Sequence, residues 1–117
     1  MREICAGLSK SFDVAVDVSY ERRYPTLVNT DKETDVAVRA ATAVVGNDRV
    51  LAGITPVMTS EDFAFLLKER PGAYMGIGAG KPRDKGLLHQ ALYDFNDRVL
   101  PTGASYWATL VEMMLPK

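Results

Sequence analysis

Apolar positions divide the first part of the chain into one helical and one strand-like segment. Apolar residues recur every fourth position from Ile4 to Phe12, which predicts a helix over residues 2–11 with one apolar stripe. From Val14 to Tyr20 apolar and polar residues alternate, as in a strand with one buried face. Pro25 cannot donate to a β-ladder, so the strand ends before it and a domain boundary is expected there.

Beyond this boundary the pattern alternates between helices and short apolar runs. Thr30 and Glu33 have the spacing of a capping box, and the helix that they begin is expected to end at Gly46. The apolar run from Val50 to Val57 predicts a buried strand. The remaining predicted elements are a helix capped by Thr59 or Ser60 and stopped by Pro71–Gly72, a short strand over residues 73–77, and a helix over residues 103–115. Such alternation predicts an α/β layer.

Composition narrows the classes of function. The chain has 117 residues, of which 47% are hydrophobic, and its 14 basic and 15 acidic residues give a net charge of −1. This balance argues against nucleic acid or an anionic membrane as a partner. No apolar run reaches the roughly 20 residues of a spanning helix, and Met1–Asp13 does not read as a signal peptide. We therefore expect a cytoplasmic protein.

A glycine-rich segment runs from Gly76 to Gly80 but fits no nucleotide-binding motif. Lys81 is followed by Pro82, where a phosphate-binding loop would need serine or threonine. Two interpretations stay open for the segment. It is either a turn that needs a permissive backbone, or a place where Gly78 and Gly80 allow the backbone to approach a ligand.

The only histidine, His89, precedes an aromatic and acidic segment. A lone histidine is more often a hydrogen-bonded structural residue than a ligand, and nearby Asp94 and Asp97 do not complete a calcium loop. Glu61 and Asp62 most simply complement the positive N-terminus of their predicted helix, with a role near a catalytic site as the alternative.

An ordered series of short motifs gives the chain a resemblance to a known family. The chain resembles the metal-dependent amidohydrolases and peptidases that include hippurate hydrolase, aminoacylase and auxin-conjugate hydrolases. The segments that carry this likeness are, in order, Tyr24–Pro25, Asn29, Met58–Phe63, Pro71–Gly72, Ile77–Gly78, Leu88–His89, Tyr93–Asp97 and Leu100–Pro101.

The resemblance implies roles for particular residues. His89 matches a family ligand for a divalent ion, which is expected to be zinc, manganese, nickel or cobalt. The other ligands and the general-base glutamate of the family precede the matched region, so no catalytic residue is expected within this chain. Glu61 and Asp62 would support the shape of the site, while Gly78 and Gly80 would approach the substrate.

The resemblance also implies a fold and a reaction. Residues 1–26 match the last helix and strand of an α+β lid and dimerisation domain, and residues 27–117 match the C-terminal part of a mixed-sheet α/β catalytic domain. The reaction would be hydrolysis of the amide in an N-acyl amino acid, with the metal ion polarising the carbonyl and activating water. The chain alone is expected to be inactive and to form homo-oligomers. The alternative is a non-catalytic module that associates with itself or a partner.

Overall fold

The regular elements of the described residues are helices, joined by long irregular segments. We describe a computed structural model that covers residues 1–80 and 88–115. Two 3₁₀ turns, Asn47–Arg49 and Asp97–Val99, precede an irregular segment and the last helix respectively. The α-helices of the described residues are α1 (Arg2–Phe12), α2 (Asp31–Val45), α3 (Phe63–Glu69) and α4 (Leu100–Met114).

Helix α1 confirms the first predicted helix and leaves its apolar stripe in water. It ends where Asp13 adopts a left-handed conformation with φ 51°, and the Asp13 N–H bonds to the carbonyl of Ser9. No residue of α1 is buried. Ile4, Leu8 and Phe12 are 68%, 46% and 71% exposed. An apolar stripe with this exposure is a surface that another element could cover.

Helices α2 and α4 form the main packed pair. Helix α2 begins after Thr30, as the capping-box spacing predicts, and ends at Gly46, whose φ of 82° suits glycine. Ala37 and Ala40 are the buried residues of α2, and the helix packs against α4. The third buried apolar residue of the described chain is Ala64 in α3.

The starts of α3 and α4 differ from the prediction. Helix α3 begins at Phe63 with Asp62 in the N-cap position, so the prediction that Thr59 or Ser60 caps it is wrong. Helix α4 begins at Leu100 rather than Gly103, with Pro101 in its first turn. Proline is tolerated there because the missing N–H has no helical partner. Within the described residues, no helix combines the length and hydropathy needed to cross a membrane.

The segments predicted as strands have no β-ladder among the described residues. Residues 14–20, 50–57 and 73–77 carry no strand assignment. Leu51 and Ile54, predicted to be buried, are instead 83% and 69% exposed. A strand requires a ladder of backbone bonds to a neighbouring strand, and among the described residues these segments form no such ladder. The mixed-sheet α/β class and the division at residue 26 stay predictions.

The chain has an open shape for its length. Its radius of gyration is 20.7 Å, with extents of 68 × 38 × 22 Å. A compact domain of this length would have a radius of gyration of about 13 Å. Much apolar surface therefore faces water.

Candidate functional site

Asn29 and Thr30 join the segment before α2 to the segment after α3. The Asn29 Nδ2 donates to the Tyr74 carbonyl oxygen at 3.0 Å, and the Tyr74 N–H donates to Asn29 Oδ1 at 2.8 Å. The Thr30 N–H donates to the Gly72 carbonyl at 3.0 Å, and the Gly72 N–H donates to Thr30 Oγ1 at 3.0 Å. These four bonds resemble a short ladder in which side chains supply part of the pairing.

The Thr30 hydroxyl takes part in the contact with Gly72 and does not cap the backbone of α2. No side-chain bond from Thr30 caps the helix. Its oxygen accepts the Gly72 N–H, and the hydroxyl lies against the Glu33 carboxylate. The hydrogen bond from Thr30 lowers the pKa of Glu33, because it favours the charged carboxylate. The two capping-box residues therefore interact with each other while the hydroxyl oxygen binds a distant segment.

Glu61 is held by Tyr74. The Tyr74 hydroxyl donates to Glu61 Oε1 at 2.9 Å, and the Tyr74 ring lies 5.5 Å from that of Phe63. This hydrogen bond to the carboxylate raises the pKa of Tyr74, since ionisation would remove the donor and place two negative charges together. Asn29 holds the backbone of Tyr74, and the side chain of Tyr74 binds Glu61. Glu61 is therefore linked to Asn29 through Tyr74.

Asp62 has a second tyrosine as its partner. The Asp62 carboxylate raises the pKa of Tyr24, because it interacts favourably with the protonated hydroxyl and repels the phenolate. The ring of Tyr24 lies 5.8 Å from that of Phe65 in α3, at an interplanar angle of 55°. Asp62 makes no side-chain bond to the N-terminus of α3. Glu61 is therefore hydrogen-bonded to Tyr74, while Asp62 acts on Tyr24 of a different segment through its charge.

The glycine-rich segment is tied to the start of α4. Asn96 Nδ2 donates to the Ala79 carbonyl at 2.9 Å, and Asn96 Oδ1 accepts the Arg98 N–H at 3.2 Å. Gly80 has a φ of 102°, a conformation that side chains rarely adopt. Gly78 differs, because a Cβ there would meet open space. The permissive-backbone interpretation is therefore confirmed for Gly80, while the predicted approach to a ligand stays a prediction for both glycines.

His89 lies on an exposed turn. Its φ is 67°, an uncommon value for a residue with a side chain and one that histidine tolerates better than most. Within residues 1–80 and 88–115, no hydrogen bond or ion pair joins His89 to Glu61, Asp62, Gly78 or Gly80. The described residues bring the two carboxylates together with tyrosines, but they do not bring His89 to them.

Three residues of this arrangement received no role from sequence reasoning. Tyr24 and Asn29 belong to the motifs that carry the family resemblance, and Tyr74 lies in a segment predicted only as a short strand. Their hydrogen bonds span up to 45 positions of the chain. Periodicity reports local structure only, so nothing in it indicates these partners.

The described residues do not form a complete metal site. Among them, no group of three or more histidine, cysteine, aspartate or glutamate side chains is placed to hold a metal ion. A catalytic metal usually has about three protein ligands, so a single exposed imidazole supplies part of a site at most. No metal-dependent step can be built from these residues alone.

Comparison with known proteins gives the same family as the sequence motifs. The model of the family described as Peptidase family M20/M25/M40 matches residues 4–113. The hippurate hydrolase of Campylobacter jejuni is 30% identical over 108 residues, which cover 92% of this chain and 27% of that protein. An N-acetyldiaminopimelate deacetylase of Exiguobacterium sibiricum is 30% identical over 101 residues, covering 86% and 26%. No solved structure matches the chain.

The family match covers nearly the whole chain, which therefore belongs to the peptidase family M20/M25/M40. This confirms the resemblance found from the motifs. A hydrolase of Staphylococcus haemolyticus of uncharacterised function is 29% identical over 117 residues. The match covers 95% of this chain but only 29% of that protein. The chain thus spans between a quarter and a third of the length of these relatives.

Proposed function

We propose that this chain is the C-terminal part of a metal-dependent amidohydrolase that hydrolyses the amide bond of N-acyl amino acids or related peptide-like substrates. The observation that carries the proposal is the family match over residues 4–113. The names of two relatives, a hippurate hydrolase and an N-acetyldiaminopimelate deacetylase, support an amide in a small molecule as the substrate. The proposed division has residues 1–26 in a lid and residues 27–117 in a catalytic domain.

In this proposal His89 is one ligand of a divalent ion, whose identity among zinc, manganese, nickel and cobalt is left open. Exposure of the His89 turn is compatible with that role, since the imidazole is accessible to ligands supplied from elsewhere. The remaining ligands and the general base would come from the rest of the enzyme. Glu61 and Asp62 would give the site its shape through Tyr74 and Tyr24.

The proposal is tested by completing the enzyme. Residues 4–113 would replace the matching segment of the Campylobacter jejuni hippurate hydrolase, and hippurate hydrolysis would be measured with each of the four metals. We expect hydrolysis by the chimera and none by the isolated chain. His89→Ala should lower kcat/KM by about a hundredfold or more, as expected for loss of a metal ligand.

The control for this experiment is Leu92→Ala, a substitution at a neighbouring position that is 82% exposed. It should leave hydrolysis within about twofold of the unsubstituted chimera, as expected of a surface position. A chimera that has the circular dichroism spectrum of the parent enzyme but does not hydrolyse the amide would contradict the proposed function. Full activity after His89→Ala would contradict the role of His89.

A second candidate function is favoured by the exposed stripe of α1. Ile4 and Phe12 are 68% and 71% exposed on a helix without a buried residue. A chain with such a stripe could act as a non-catalytic module that associates with itself or with a partner protein. Burial of apolar surface stabilises such association by about 25 cal/mol for each Å² removed from water. Association and catalysis are separable, because the first needs only the isolated chain.

A further inference from the structure

The side chain of Asn96 binds two different parts of the chain. Its Oδ1 accepts the Arg98 N–H at 3.2 Å and so caps the turn Asp97–Val99 that leads into α4. Its Nδ2 donates to the Ala79 carbonyl at 2.9 Å, across 17 positions of the chain. The bond to Ala79 is partly buried, which shields it from competing water. An asparagine amide supplies both the donor and the acceptor that these two bonds need.

The bond to Ala79 fixes the end of the glycine-rich segment beside α4. Gly80, the next residue, has a φ of 102°, and a Cβ built on it would lie 3.5 Å from Asn96 Nδ2. Earlier in the segment, the Ile77 side chain approaches Gly103 of α4, with its Cδ1 3.5 Å from a Cβ built on that glycine. One polar and one apolar contact therefore hold this segment against the first part of α4.

The residues between His89 and Asn96 form a short segment with its own local contacts. The Tyr93 N–H donates to the Gln90 carbonyl at 3.0 Å, which closes a turn directly after His89. The rings of Tyr93 and Phe95 then meet edge to face, with their centroids 5.0 Å apart. Since these contacts restrict the backbone between the two residues, the position of His89 depends on where Asn96 is held.

We propose that Asn96 is a positioning residue that holds the turn carrying His89 and the glycine-rich segment together at the start of α4. This inference rests on the proposed function only for what the two segments bind. The contact itself is a property of the isolated chain. In the completed enzyme it would keep one metal ligand, His89, at a fixed place relative to Gly78 and Gly80.

Two substitutions of Asn96 separate its bond to Ala79 from its capping bond. Asn96→Asp keeps the size of the side chain and the oxygen that accepts the Arg98 N–H, but it cannot donate to the Ala79 carbonyl. Asn96→Ser also retains a good N-cap oxygen, brings no charge and is too short to reach Ala79. Effects that the two variants share therefore report loss of the bond to Ala79. Asn47→Asp and Asn47→Ser, in the exposed turn Asn47–Arg49, are the matched controls.

Nuclear magnetic resonance on the isolated full chain measures the contact. The carbonyl carbon shift of Ala79 reports its hydrogen bond, and relaxation of the backbone amides gives the order parameters of Gly80 and His89. In both Asn96 variants the Ala79 carbonyl carbon should move upfield, and both order parameters should fall towards about 0.6, where flexible backbone begins. Protection of the Arg98 amide from hydrogen exchange should change by less than about twofold, because the cap is retained.

The order parameters decide the proposal. A fall at Gly80 and His89 together, in both Asn96 variants and with the Arg98 amide still protected, supports it. Unchanged values at both residues, or a fall at Gly80 alone, would overturn it. The proposal also fails if the Asn47 variants lower the values equally, since the effect would then be a general loosening of the chain.

The chimera with the hippurate hydrolase relates the contact to the proposed function. Asn96→Asp and Asn96→Ser should each lower its zinc affinity, measured by competition with a chelator, by about two- to tenfold, the effect expected of one modest hydrogen bond. The Asn47 controls should leave the affinity unchanged. Unchanged zinc affinity in both Asn96 variants would overturn the positioning of His89 as a ligand. A chimera that binds no metal even without substitution would contradict the proposed function, while the order parameters of the isolated chain would still decide whether Asn96 joins the two segments.

Discussion

The side-chain amide of Asn29 bonds both backbone polar groups of Tyr74, 45 positions away, with distances of 3.0 Å to the carbonyl and 2.8 Å from the N–H. An asparagine amide carries both a donor and an acceptor, so it can replace the backbone of a neighbouring strand. Through Tyr74 the same contact positions Glu61. One amide thereby links the segment before α2 to a carboxylate of the candidate site.

We predict that Asn29→Ala destabilises the chain by about 1–2 kcal/mol, because two hydrogen bonds of modest net value are lost together. Asn29→Asp should lower the free energy of unfolding at least as much, since it keeps the acceptor but places a carboxylate against the Tyr74 carbonyl. Urea denaturation measures the free energy of unfolding, and hydrogen exchange at the Tyr74 amide reports the contact directly. Asn47→Ala, in an exposed 3₁₀ turn, is the control. Equal stability of the Asn29 and Asn47 variants would contradict the role of Asn29.

The pKa values of Tyr24 and Tyr74 should both lie above the ordinary value of 10.0. Glu61→Gln should lower the pKa of Tyr74 towards that value, and absorbance titration near 295 nm measures the change. The folded state holds these protons more tightly than the unfolded state does. The associated stability is therefore present below pH 10.0 and is lost as the pH rises through the raised values. A pKa of Tyr74 that does not respond to Glu61→Gln would contradict the hydrogen bond.

Gly80→Ala should destabilise the chain by about 1–3 kcal/mol, because alanine is strained at a φ of 102°. Gly78→Ala is the matched control, since a Cβ there meets nothing within 4 Å. It should be neutral or slightly stabilising, as a more restricted unfolded chain has less entropy to lose. Thermal unfolding of both variants gives the comparison. The interpretation of Gly80 fails if the two substitutions have the same effect.

We expect the chain to associate with itself at tens of micromolar through the stripe of α1. Leu8→Ser should weaken association, because a polar side chain reduces the apolar surface that is buried. Static light scattering measures the mass, with Lys10→Gln on the same helix as the control. Removal of residues 1–26 should abolish association. A stable monomer of the full chain, no more prone to aggregate than the truncated form, would contradict this expectation.

The helices were largely predictable because their signals are local. Spacing alone places α1 and the start and end of α2 correctly. Spacing misplaces the starts of α3 and α4. Thr59 and Ser60 are good caps that the chain does not use, and α4 begins at Leu100 with Pro101 in its first turn. The run from Val50 to Val57 predicts a buried strand, yet Leu51 and Ile54 are exposed. Burial of a strand depends on its partner strands, and a local pattern does not show whether they are present.

The sequence predicts which residues belong to the candidate site but not which residues they contact. Motif resemblance selects five residues from the sequence, and the family match supports the resemblance. These residues are Glu61, Asp62, Gly78, Gly80 and His89. The resemblance does not identify the tyrosines near the two carboxylates, because the hydrogen bond of Tyr74 to Glu61 and the approach of Tyr24 to α3 depend on tertiary structure. The complete ligand set of the proposed metal site cannot be predicted from this chain either, because His89 supplies only one imidazole.

Metal content tests the central claim most directly, namely that this chain contributes His89 to a metal site completed by the rest of an M20-family amidohydrolase. The chimera with the Campylobacter jejuni hippurate hydrolase would be purified, dialysed against buffer and analysed by atomic emission. The account predicts tightly bound metal in the chimera, loss of at least one ion in its His89→Ala variant, and no stoichiometric metal on the isolated chain. Full metal occupancy in the His89→Ala chimera, or a submicromolar zinc site on the isolated chain, would contradict it.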